Sequence, residues 1–192
     1  MRGDRCLIAL LLAWSVLPNA APGRADDAYV HTFTGFTFPP KVAAFARVKI
    51  TPYNDAKSDI GVDYDNTPFT VHLSVYVYPS LNIALQDHYT DCRDGVSQVH
   101  KDAKLLEEKP VTFTKSGATY NGYRARFSFR DKFVGDAPQD LLSQLLLFQR
   151  GDYFVLFRIS YSAADQAAAE KEIDDFLQQF AWPPGNPPTT KT

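Results

Sequence analysis

From Phe69 to Tyr78 the chain alternates: Phe69, Val71, Leu73, Val75 and Val77 point one way, Thr70, His72, Ser74, Tyr76 and Tyr78 the other. A period of two marks a half-buried antiparallel strand. Shorter strands are expected upstream over Thr32 to Phe38, Val42 to Ile50 and Ile60 to Tyr64, separated by Pro39-Pro40 and by Pro52-Tyr53-Asn54-Asp55. Downstream, Val111 to Lys115 and Tyr120 to Arg130 join through Ser116-Gly117 as a hairpin, and Gln144 to Gln149 pairs with Tyr153 to Tyr161 across Arg150-Gly151-Asp152. Over residues 139–149 the run Leu141, Leu142, Leu145, Leu146 and Phe148 suits a helix as well as a strand.

Two segments carry a helical period instead. Between Leu81 and Lys109, Leu85, Tyr89, Cys92, Val96, Val99, Ala103 and Leu106 recur at three and four, leaving Asp87, Asp91, Asp94 and Lys101 off the stripe. A second helix is expected from Ser162, with Asp165 three residues on as a variant capping box. It buries Ala169, Ile173, Phe176, Leu177 and Phe180 and stops at Pro183-Pro184. The sum is an α+β fold: an antiparallel β-sheet of about six to eight strands packed with one long central helix and a C-terminal helix. One side of the sheet is expected beneath the helices and the other wet.

The first residues belong to a different regime. Arg2 and Arg5 precede an apolar run from Cys6 to Leu17, broken by Pro18 and Asn19. A spanning helix needs ~20 apolar residues, so this run reads as a secretory signal peptide over residues 1–25, cut between Ala25 and Asp26. No membrane anchor is expected after cleavage, and the mature protein is expected to be secreted, into a periplasm. Residues 26–182 form a single α+β domain, and residues 183–192 a disordered Pro-rich tail.

Losing Arg2, Arg5, Arg24 and Asp4 takes the chain from 20 basic and 22 acidic residues to 17 and 21, a net charge of −4. Nucleic-acid binders show a basic excess, so that class is set aside. With Cys6 removed, Cys92 has no second cysteine with which to form an intramolecular disulfide.

The order of elements resembles the PsbP-like domains, the Mog/PsbP-like fold. The resemblance is carried by the Phe33 to Pro39 segment (Phe-Thr-Gly-Phe-Thr-Phe-Pro), the Val71 to Pro79 strand entering the helix, and the Phe154 to Tyr161 strand feeding the terminal helix. It covers most of the mature chain and implies a non-catalytic accessory of a larger assembly. No functional residue carries over from it.

Candidate chemistry centres on the polar side of the sheet. Arg124, Arg126 and Arg130 alternate outward, and Arg47, Lys49, His72, Tyr76 and Tyr78, with Arg158, hold comparable positions on other strands. Were these strands neighbours, the side chains would merge into a cationic, aromatic surface for an acidic protein partner or an anionic ligand. The competing reading is that long cationic stems only solvate an open sheet face. His88 and Cys92, four apart beside Asp91, put imidazole and sulfur together, but two ligands do not make a metal site. Asp55, Asp59, Asp63, Asp65 and Asn66 cluster oxygen atoms without the order of a calcium loop and read as polar turn residues. Adjacent Glu107-Glu108 and Asp174-Asp175 diverge on a helix.

No phosphate loop, nucleophile elbow or His-Glu-x-x-His occurs, so no catalytic residue, metal or cofactor is expected. The reading is a non-enzymatic binding or accessory protein of an envelope assembly. Its rivals are a carrier with an apolar pocket between sheet and long helix, and an enzyme of unrecognised type.

Overall fold

The structure is a computed structural model that describes residues 27–66, 70–115 and 117–184. The proposed leader lies outside the described residues, as do Phe69, Ser116 and residues 185–192 of the tail. The strands run β1 (Tyr29–Val30), β2 (Thr37–Phe38), β3 (Lys41–Val42), β4 (Phe45–Pro52), β5 (Ile60–Asn66) and β6 (Val71–Pro79). Helix α1 (Leu85–Val99) follows, then β7 (Lys104–Lys115), β8 (Ala118–Lys132), β9 (Pro138–Arg150) and β10 (Tyr153–Ser162). A 3-10 turn over Ala163–Asp165 leads into α2 (Gln166–Gln179).

Strands β3 to β10 form one eight-stranded sheet in the order β3-β4-β5-β6-β10-β9-β8-β7, antiparallel at every pairing. Two meanders therefore meet at the β6–β10 seam, and α1 carries the chain from the centre of the sheet to its far edge. β1 and β2 pair separately.

Each face of the sheet has its own core. Val71, Leu73, Val75 and Val77 of β6 pack with Ala169, Ile173, Phe176 and Leu177 of α2. Tyr76 and Tyr78 join Tyr89, Cys92 and Val96 of α1 in a second cluster. The expectation of one wet sheet face is thus corrected, because α1 and α2 lie on opposite sides. β9 shows the cause of its ambiguity in sequence: Leu141, Leu145 and Leu147 join the α1 core, while Leu142, Leu146 and Phe148 join the α2 core. A strand covered on both faces loses its alternation and reads as an unbroken apolar run.

Other boundaries moved for local reasons. The segment expected as a strand from Thr32 turns instead, with Gly35 at φ 75° and its N–H donating to His31 O at 2.8 Å, so only Thr37–Phe38 is extended. Ala43, at φ 51°, splits the Val42 to Ile50 strand into β3 and β4. The long helix starts later than expected because Leu81 and Asn82 both adopt positive φ. It also ends earlier, and Lys104–Lys115 is an edge strand rather than a last helical turn and a short strand. Pro110 cannot donate to a ladder and fits an edge, and Lys104, Lys109 and Lys115 discourage pairing with another chain.

Both ends of the described chain converge on Arg150. Its guanidinium donates to Thr34 O at 2.9 Å, Tyr120 Oη at 3.0 Å and Pro184 O at 3.3 Å. Tyr120 Oη donates in turn to Pro183 O. Pro183 and Pro184, expected to open a disordered tail, are held in place here.

Candidate functional site

The predicted cationic residues separate by face. Arg124 and Arg126 share the α2 side of β8 with Tyr120, as the register to Leu146 and Gln144 requires, and Arg130 follows in the same alternation. Arg47 pairs in register with Tyr64 on that side too. Lys49, beyond a bulge, stands opposite Asp63 on the α1 side, where His72, Tyr76 and Tyr78 also project. The expected single patch is corrected to two groups on opposite faces of the sheet. Sequence alternation assigns parity within a strand but not between strands.

Most of these cations already have partners. Arg124 Nη2 lies 2.5 Å from Glu107 Oε2, and Lys109 Nζ lies 2.7 Å from Glu107 Oε1. Hydrogen bonds from Lys109 and then Arg124 hold the Glu107 carboxyl at about 2. Arg126 pairs with Glu170 of α2, whose Oε1 also accepts from Tyr161 Oη at 3.0 Å. Arg130 Nη1 meets Asp140 Oδ1 at 3.0 Å. Arg47 donates to the carbonyls of Phe38 and Asp27. Tyr76 and Tyr78 are each 6% exposed, and Tyr78 Oη lies 2.8 Å from His88 Nε2, so these rings belong to the core rather than to a wet surface.

The polar half of the α1 face, on β5, β6 and β10, carries the densest chemistry. His72 Nδ1 sits 2.6 Å from Asp65 Oδ1, and its Nε2 lies 3.2 Å from Ser74 Oγ. Ser74 Oγ donates to Asp63 Oδ1 at 2.6 Å. Burial alone would lower the His72 pKa, but the hydrogen bond to Asp65 and the charges of Asp65 and Asp63 outweigh it and raise the imidazole above its ordinary value. Once protonated, His72 donates from both nitrogens, which orders the chain as Asp65, His72, Ser74, Asp63.

The order carboxylate, imidazole, hydroxyl has the connectivity of a hydrolytic triad, yet the proton runs the other way. Ser74 gives its hydrogen to Asp63 rather than to His72, so the imidazole does not serve as its base in this arrangement. Ser74 is also 4% exposed in mid-strand, where the N–H groups serve the ladder rather than an oxyanion.

The oxygen cluster around Asp63 and Asp65 therefore serves side chains of β6. Asn66 Oδ1 accepts from Thr70 N and Val71 N at 2.8 and 2.7 Å, and its Nδ2 reaches Glu172 Oε2 at 2.6 Å. The sequence reading took these residues as turn polarity and missed their pairing with His72 and Ser74. The available signal was the match of Asp-x-Asp on β5 with His-x-Ser on β6, visible only once the strands are paired.

At the other end of this face His88 stacks on Phe154 with centroids 4.4 Å apart, and its Nε2 lies 3.7 Å from Cys92 Sγ. Cys92 is 1% exposed. Among the described residues no group of three or more His, Cys, Asp or Glu side chains is placed to hold a metal ion. A pocket of about 720 Å³ opens where β6 turns into α1, lined by Tyr78, Ser80, Asp87, Asp91 and Phe154 among others. Its lining is mixed, with Leu81, Ile83, Ala84 and Phe154 beside the carboxylates of Asp87 and Asp91.

No family model matches the chain, and no curated protein does. Among solved structures it is similar to cyanobacterial PsbP from Synechocystis sp., with a TM-score of 0.50 and 14% identity over 88% of this chain and 99% of that one. It is also similar to a Pseudomonas aeruginosa protein of unknown function (TM-score 0.48, 10% identity, 83% of this chain and 98% of that one). A third is the Ran-binding protein Mog1p of Saccharomyces cerevisiae (TM-score 0.45, 12% identity, 77% and 88%).

Proposed function

We propose, from the premise that this chain has the Mog/PsbP-like fold, that it is a non-enzymatic binding or accessory protein acting outside the cytoplasm. Its contact surface for an acidic partner or anionic ligand is the polar half of the α1 face. The fold supports an accessory role, as domains of this architecture serve larger assemblies, though fold alone does not fix function. The observation that carries the placement is electrostatic. The arginines of β8 are neutralised by carboxylates, whereas Arg158 of the α1 face, beside the His72 network, forms no ion pair among the described residues. Export rests on the leader reading of residues 1–25, and no helix among the described residues is long and apolar enough to cross a membrane.

Photo-crosslinking in the native envelope fraction tests the surface. A benzophenone side chain at Lys49 or at Ser160 is expected to capture a discrete partner, and one at Lys171, exposed on α2, is not. Equal capture from all three positions, or from Lys171 alone, sinks the assignment.

A further inference from the structure

Among the described arginines Arg158 stands apart. Arg93, Arg124, Arg126 and Arg130 meet carboxylates, and Arg47 and Arg150 meet backbone carbonyls. No described hydrogen bond or ion pair holds the Arg158 guanidinium. The register fixes its place: on β10 it lies between Ser74 of β6 and Leu145 of β9, on the α1 face. One step along that face Ser160 lies between His72 and Ser143, with Ser160 Oγ 3.5 Å from Ser143 Oγ.

The arginine is only partly exposed, and desolvation pulls its pKa down to about 10, opposed only by the Tyr76 phenol. Its charge also adds to the lowering of the His100 pKa, whose chief cause is burial. A guanidinium taken partly out of water without a counter-charge is costly, and an arriving anion recovers that cost.

We infer that Arg158 anchors a subsite for a carboxylate group, the guanidinium fork engaging both oxygens beside the Ser160 hydroxyl. A planar fork matches a carboxylate bidentately. The neighbouring charges choose the monoanion. Asp63 and Asp65 stand across β6, with Lys49 opposite Asp63 and His72 against Asp65, and carboxylates so near repel a phosphate dianion more than a singly charged carboxylate. This assignment deepens the proposed binding face and rests on it.

The test titrates the 15N-labelled protein with acetate and, separately, inorganic phosphate at constant ionic strength, following the Arg158 Nε–Hε signal and the Ser74 and Ser160 amides. Acetate is expected to give a saturable shift, at least tenfold weakened in Arg158→Gln and unchanged in Arg124→Gln. Arg158→Lys keeps the charge and most of the packing without the fork, and is expected to bind several-fold more weakly; it carries the comparison if the glutamine variant unfolds. Pentaglycine with a free C-terminus should bind, and its amidated form should not. An absent or non-saturable shift overturns the subsite, as does acetate binding that survives Arg158→Gln or is equal in Arg158→Lys. Phosphate saturating below acetate overturns the carboxylate assignment. Because no partner is present, a negative result here leaves crosslinking from Lys49 and Ser160 untouched, so the two proposals fail separately.

Discussion

At the scale of single residues, His72 and His31 pull the protein's pH dependence in opposite directions. His72 has its pKa raised in the fold, so its contribution to stability is complete below the unfolded value, ~6.5, and fades as pH rises through the higher folded value. His31 is fully buried with its Nδ1 2.7 Å from Thr34 Oγ1, and burial lowers its pKa. Its neutral form stabilises the fold above ~6.5, and that stability is lost as pH falls toward the depressed value. Asp65→Asn leaves burial as the dominant influence on His72, so the His72 midpoint is expected to drop while that of His31 stays. Following both Cε1–H resonances by NMR checks this; an unmoved His72 midpoint would show that Asp65 does not hold the proton there. The same residues show where sequence reasoning ran out. His72, Tyr78 and Arg124 were visible as polar positions on strands, but their partners Asp65, His88 and Glu107 come from other elements. Only strand order, which a single sequence does not carry, could have revealed that Arg124 is neutralised and Arg158 is not.

At the scale of elements, β8 and β9 show how tightly the sheet is fitted. Gly122 of β8 stands opposite Phe148 of β9, and a Cβ there would come within 2.3 Å of Leu147 O and 2.5 Å of a Phe148 ring carbon. A ring can turn aside, but a carbonyl in a central ladder cannot. Gly122→Ala is therefore expected to destabilise the protein by about 1–3 kcal/mol, the usual range for overpacking. For a chain of this size that lowers Tm by roughly 2–4 °C per kcal/mol. Thermal unfolding measures it, and an unchanged Tm would mean that β8 and β9 lie further apart than described. Elements of clear period were legible: β6, β10 and α2 appeared in sequence, α2 with its buried residues, whereas Tyr76 and Tyr78 of β6 were read as wet and are buried. Those that failed did so because tertiary context overrode local pattern. Leu106 fits a helical stripe, yet it lies exposed on edge strand β7, where pairing with β8 outweighs helix propensity.

At the scale of the whole molecule, a sheet covered on both faces needs its two layers tied at their ends, and Arg150 supplies the tie on the α2 side. It is 6% exposed at the end of β9, and its donors reach the β1–β2 connection at Thr34, β8 at Tyr120 and the segment after α2 at Pro184. Around it Phe36, Tyr120, Phe148, Phe157 and Phe180 all lie within ring-contact distance of Trp182, so the two chain ends share one aromatic cluster. Each buried acceptor left without its donor costs about 1–3 kcal/mol, and Arg150→Met strands the Thr34 carbonyl while recovering some apolar contact. A net loss of about 3 kcal/mol is expected, together with a specific spatial signature. Because one guanidinium holds both ends, amide hydrogen exchange should rise together around Thr34–Phe36 and around Phe180–Trp182, and remain slow in β6 and β10 at the seam. Exchange that rises at one end alone, or uniformly through the sheet, would mean that the two ends are fixed independently by their aromatic packing and that the arginine is not their common anchor.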